Sequence, residues 1–197
     1  MKKLMLFAVL ASLSLVATAQ EESIRFGAKA GVNFANISGD GTDGVDGRTG
    51  FHIGALVEIP ISEKFAFQPE LLYSSQGAKL DVGNLETTTK INYINIPLMA
   101  KYYVAQGFSL QAGPQIGFLT SAKAKVEGPG VDEDNDIDDA IKGIDFGLNF
   151  GLGYQLDMGL FFDGRYNLGL SNINDTESSD DVKQKNSVIQ LSVGYKF

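Results

Sequence analysis

Few residues in this chain are of types that could do chemistry, and they fall in two places. His52 is the only histidine, it lies on the polar side of an alternating segment, and no serine or cysteine is spaced to serve as its nucleophile. It reads as an interior histidine held by a hydrogen-bond partner. The sequence therefore predicts no enzyme and calls for no cofactor. The second place is an acidic run, Glu127 followed by Asp132, Glu133, Asp134, Asp136, Asp138 and Asp139. Alternate carboxylates suggest a hard cation, with Asp132, Asp134, Asp136 and Asp138 as weak candidate ligands. Counted from Asp132, however, a calcium loop's glycine position holds Ile137 and its twelfth position holds Gly143 instead of a bidentate glutamate. A solvated acidic loop fits these residues better than a metal site.

The elements that would carry these residues all have the β period. From residue 24 onward apolar side chains alternate with small or polar ones, and no segment sustains a 3.6-residue repeat. In the first segment Phe26, Ala28, Ala30, Val32 and Phe34 oppose Arg25, Gly27, Lys29, Gly31 and Asn33. In the last, Ile189, Leu191, Val193, Tyr195 and Phe197 oppose Gln190, Ser192, Gly194 and Lys196. Six further segments of this kind lie between them. The chain is predicted to be all-β, with eight strands.

Connection lengths suggest which face is which. Long polar stretches near 36–50, 77–90, 121–142 and 171–186 alternate with tight turns at 61–64, 105–107 and 157–159. Long loops at one end and short turns at the other are the pattern of an antiparallel up-and-down transmembrane β-barrel, with extracellular loops and periplasmic turns. The apolar face would then meet lipid, and aromatics fall at two heights along it, as in the girdles of such barrels. Closure of the ring matters because a bilayer offers no water to unpaired backbone groups.

The N-terminus and composition agree with export. Lys2 and Lys3 precede an apolar run from Leu4 to Val16 and then Ala17-Thr18-Ala19, the layout of a Sec signal peptide covering residues 1–19. Residues 20–197 would form a single barrel domain. The chain carries 16 basic and 24 acidic residues, a net charge of −8, and losing Lys2 and Lys3 deepens that excess, so nucleic acid is not an expected partner. There are no cysteines, and stability must come from hydrogen bonding and packing.

On this register the interior holds Arg25, Lys29, Lys101, Arg165 and Lys196 against Glu58, Glu70, Asp145 and Asp163. A set so close to neutral can pair internally, as burial demands. An eight-stranded barrel is just wide enough for its side chains to fill, which argues against an open pore. Tyr195 and the carboxy-terminal Phe197 resemble the terminal signal read by the barrel-assembly machinery.

Four stretches carry a family resemblance. Tyr93-Ile94-Asn95-Ile96-Pro97-Leu98-Met99-Ala100-Lys101-Tyr102, Gly113-Pro114-Gln115-Ile116-Gly117, Gly27-Ala28-Lys29-Ala30-Gly31-Val32-Asn33 and Arg165-Tyr166-Asn167-Leu168-Gly169-Leu170 resemble the PorT-like outer-membrane β-barrel family of Bacteroidota. The resemblance implies an eight-stranded barrel in the outer membrane, in contact with its lipid and lipopolysaccharide. The family's namesake is linked to a secretion and gliding system. These motifs are structural and carry over no catalytic or binding residue. The function expected is a non-enzymatic barrel that serves as an envelope or secretion accessory with envelope protein partners, or as a scaffold for surface loops. A surface adhesin and a narrow channel for small solutes are the alternatives.

Overall fold

Alternation at period two is realised as a closed antiparallel sheet. The structure, a computed structural model, describes residues 23–42, 44–175 and 182–197; the expected signal peptide lies outside them. The strands are β1 (Arg25–Gly39), β2 (Val45–Ser62), β3 (Phe65–Val82), β4 (Leu85–Ala105), β5 (Phe108–Gly128), β6 (Val131–Asp136), β7 (Ile144–Gln155), β8 (Leu160–Gly169) and β9 (Gln184–Lys196). Eight of them form the ring, each pairing with the next, with β5 beside β7 and β9 closing onto β1. Ala30 accordingly faces Ile53 on one side and Val193 on the other. The ninth, β6, pairs with β5 alone, through Lys123 opposite Asp136 to Gly128 opposite Val131.

The sheet turns its apolar face outward. Phe26, Ile53, Leu71, Phe150 and Leu191 are each more than half exposed, whereas Asn33, Glu58, Gln68 and Asn149 are fully buried. A soluble barrel has the reverse arrangement. Outward aromatics pair at two heights, Phe65 with Tyr102 at 6.2 Å near the turns and Phe51 with Tyr73 at 5.8 Å near the other end. Each lies where a ring can span the boundary between lipid and water.

Glycine is needed where the chain comes too close for a side chain. A Cβ on inward Gly153 would lie 2.3 Å from Gln111 Nε2 and 2.7 Å from Asp163 Oδ1. Its absence lets those two side chains meet, so the interior is tightly filled at that level. Gly107 and Gly159 hold positive φ, 74° and 92°, in the turns entering β5 and β8, a conformation glycine adopts freely.

Three of the four stretches expected as long loops are mostly strand. The β3–β4 ladder runs without interruption from Ser74 opposite Tyr93 to Val82 opposite Leu85, so the expected loop at 77–90 shrinks to Gly83 and Asn84. The β1–β2 connection is residues 40–44, and much of 121–142 is the β5–β6 hairpin. Strands of 15 to 21 residues from β1 to β5 exceed the roughly 9–11 needed for a tilted crossing. These stretches are polar and yet regular, because a ladder standing in water buries one face at most and needs no outward apolar residues.

Candidate functional site

The interior is built in levels, and the lowest is centred on Glu58. Its carboxylate accepts hydrogen bonds from Lys101 Nζ at 2.8 Å, Lys196 Nζ at 2.5 Å, Tyr103 Oη at 2.9 Å and the Arg25 guanidinium. These residues come from β1, β2, β4 and β9, so the contacts span the bore and tie opposite walls together. Lys101 also donates to Gln68 Oε1 at 3.2 Å and Lys196 to Gln155 Oε1 at 2.9 Å. Lys196 additionally sits 4.9 Å from the centre of the Phe161 ring, which a cation favours.

One level up, Glu70 is the hub. Arg165 approaches it with two parallel hydrogen bonds, both 2.9 Å, the geometry that makes guanidinium–carboxylate pairs strong. Lys29 Nζ lies 2.8 Å from the same carboxylate and 3.8 Å from Asp163. Gln111 links Arg165 to Asp163, accepting at 3.1 Å and donating at 2.9 Å. Of the nine ionic residues expected in the interior, eight thus meet in two adjoining clusters. Asp145 stands apart near the opposite mouth, accepting from Ser171 Oγ at 2.6 Å and Asn186 Nδ2 at 2.9 Å.

Above Glu70 the contacts become neutral, and here the sequence reading missed a contact. Ser192 Oγ is 2.8 Å from His52 Nε2, and Asn33 Oδ1 is 2.8 Å from His52 Nδ1. Asn33 Nδ2 donates to Phe51 O, Ser74 Oγ and Ser75 O. That fixes the amide's orientation and places the imidazole proton on Nδ1, leaving Nε2 to accept from Ser192. A Ser–His–Asn chain has the order of contacts found in hydrolases, but His52 and Asn33 are wholly buried in the bore, so no substrate can approach. Only closure of β9 onto β1 brings Ser192 to His52, and no local spacing could have shown it.

The upper mouth is shut by apolar side chains. Ile91, Tyr93, Ala122 and Ile173 form a buried cluster, with Ile37, Leu119, Ile137 and Ile141 packed around it. Ile173 comes from the β8–β9 connection, and Ile137 and Ile141 flank a short 3-10 turn, Asp138–Ala140. A bridge between Ile141 and Asn174 joins the two connections across the opening.

The acidic run is dispersed by this arrangement. Asp132, Asp134 and Asp136 lie on β6, exposed along their length, so their alternation is the period of a strand. Asp138 turns away and accepts from the Ala122 backbone N–H. Among the described residues no group of three or more carboxylates or histidines is arranged to hold a metal ion. At the other end Tyr195 faces outward opposite Leu160 and Ala28, and Phe197 N–H donates to Phe26 O.

Comparison with known proteins agrees with this geometry. No curated protein matches the chain. Among solved structures it is similar to Ail, the attachment invasion locus protein of Yersinia pestis, at 14% identity and a TM-score of 0.55, covering 89% of this chain and 100% of that one. Neisserial surface protein A is similar at 16% identity and a TM-score of 0.55, with the same coverage. A major outer membrane protein of Thermus thermophilus follows at 15% and 0.52, again covering 89% and 100%. At these identities the likeness is one of fold. A family model described as "Outer membrane protein beta-barrel domain" matches residues 18–175. The chain belongs to that family, and it is a barrel of the outer membrane.

Proposed function

We propose that this barrel is a sealed, non-enzymatic scaffold that presents a rigid sheet at the cell surface for recognition. The observation that carries the reading is the continuation of β1–β5, with β6, past the last outward aromatics. Beyond Tyr73 and Ile94 the β3–β4 ladder still pairs residue for residue to its tip. A protein that only needed to cross the membrane would not require this extension. The interior below is occupied by paired charges, which leaves the extension and the turns as surfaces for partners. An envelope or secretion accessory would use the turns, whereas an adhesin would use the extension, and the extension is the larger built surface.

The motifs around Tyr93–Tyr102 and Arg165–Leu170 support placing the chain in the PorT-like branch of Bacteroidota, and the N-terminal pattern supports removal of residues 1–19 on export. The test is in-cell photo-crosslinking with one probe at Asp136 on β6 and another at Met158 in the β7–β8 turn. Defined partners captured from Asp136 are expected. Partners captured from Met158 alone would overturn the surface reading in favour of a periplasmic accessory role.

A further inference from the structure

The Glu58 cluster is unbalanced. Three basic residues, Arg25, Lys101 and Lys196, converge on one carboxylate among the described residues, so Glu58 is shared three ways. Lys101 and Lys196 spend their remaining contacts on Gln68 and Gln155. Arg25 does not. A guanidinium has five N–H donors, and among the described residues Glu58 is the one acceptor that Arg25 reaches. Its side chain is 38% exposed, while that of Glu58 is fully buried.

The rest of Arg25 faces a cavity of about 540 Å³ that opens between the turns at this end of the barrel. Tyr103 and Gln155 form the floor with it, and Pro60, Ala66 and Leu156 supply apolar wall. Among the described residues three further charged groups line the cavity, Glu63, Lys64 and Asp157. They belong to the connecting turns at the rim and sum to one negative charge, which offsets Arg25 among the described lining residues. Arg25 sits at the floor with Lys101 and Lys196 behind it on Glu58, apart from the acidic groups at the rim.

We propose that this vestibule is a binding site for an oxyanion, a carboxylate or phosphate carried by a small molecule or chain end on the periplasmic side, with Arg25 as the principal donor and the Gln155 amide beside it. The site lies at the opposite end from the surface extension and does not depend on its role. Arg25 would hold Glu58 and the anion at once, one through each edge of its guanidinium.

The test uses the refolded full barrel in zwitterionic detergent and follows the backbone N–H signals of Tyr103 and Leu156, which line the cavity and are kept in every variant, by nuclear magnetic resonance. Inorganic phosphate is one probe; tri-alanine, compared with its C-terminal amide, is the other. Sodium chloride at matched ionic strength controls for screening. A saturable shift with either oxyanion is expected, absent with the amide and with chloride; the probe that gives it identifies the source. Arg25→Gln should weaken binding about tenfold or more, as loss of a charge-assisted contact does, while Lys90→Gln on the exposed extension should not. If Arg25→Gln fails to show the folded barrel's mobility on an unheated gel, Arg25→Lys and Gln155→Ala replace it. No saturable shift with either probe, an equal shift with chloride, or unchanged binding in the folded Arg25 variant would overturn the proposal.

Discussion

Below His52 the bore is shut by charge, and above Tyr93 it is shut by isoleucines. The lower half lies within the ring, walled by lipid, where polar groups find their partners inside the bore and Glu58 and Glu70 gather cations from several strands. The upper half stands in water, where burying apolar surface is favourable, and two connections fold inward to bury Ile137, Ile141 and Ile173. One chain thus uses ion pairing where water is excluded and the hydrophobic effect where water is present. Damage to the two ends should therefore differ in kind.

The largest effect should come from the lower end. Glu70→Ala leaves Arg165 and Lys29 without their shared acceptor, and removing one partner of a buried pair costs about 3–5 kcal/mol. Urea unfolding of the refolded barrel should show the midpoint fall, whereas an unchanged midpoint would mean that the network contributes nothing. Glu58→Gln should fall in the same range or slightly below, because the amide still accepts one hydrogen bond and Arg25 can reach solvent. A double-mutant cycle between Glu70 and Glu58 should give additivity within about 0.5 kcal/mol if the two levels act separately. Coupling larger than that would join them through Gln68, which donates to Glu70 and accepts from Lys101.

Ile173→Ala should act locally. Removing a fully buried isoleucine side chain costs roughly 2–5 kcal/mol in a rigid core, but here the surrounding connections can open without unfolding the ring. Hydrogen exchange should quicken at Ile137 and Ile141, with the gel mobility of the unheated barrel unchanged. Global loss of the folded band would contradict the separation of the two ends. The smallest effect concerns Lys79 and Glu86, on the exposed β3–β4 extension. A hydrogen bond from Lys79 at 2.6 Å holds the Glu86 carboxyl below its usual range, and the same bond raises Lys79. Any contribution from Glu86 is present above its unfolded value and lost as pH falls through the folded one. Solvent screens the pair, so Lys79→Ala should move the Glu86 carbon-13 titration upward with no measurable change in stability.

Much of the barrel was legible in the sequence because its signal is local. Alternation in Phe26–Phe34 and Ile189–Phe197 assigns inside and outside residue by residue, and the structure places those faces as read. The interior ions follow from the same alternation, since an inward Glu58 or Arg165 has nowhere else to point. The extension was not legible, because alternation fades where both faces can be polar, as in Thr87-Thr88-Thr89-Lys90. The partner list was not legible either. His52 meets Ser192 only through closure of the ring, and Asp145 meets Asn186 inside the bore on β9 and Ser171 in a connection whose path no periodicity describes. The acidic run, expected as a solvated loop, is an exposed strand over Val131–Asp136, because a row of aspartates in water carries no apolar alternation to mark it.

The most direct test of a bore closed by its own side chains is planar-bilayer recording from the refolded protein, with folding verified by gel mobility. A sealed lumen predicts no stable conductance steps in wild type, with transient openings appearing only when Glu70 or Glu58 is replaced. Stable, reproducible steps from the intact wild-type barrel would contradict it.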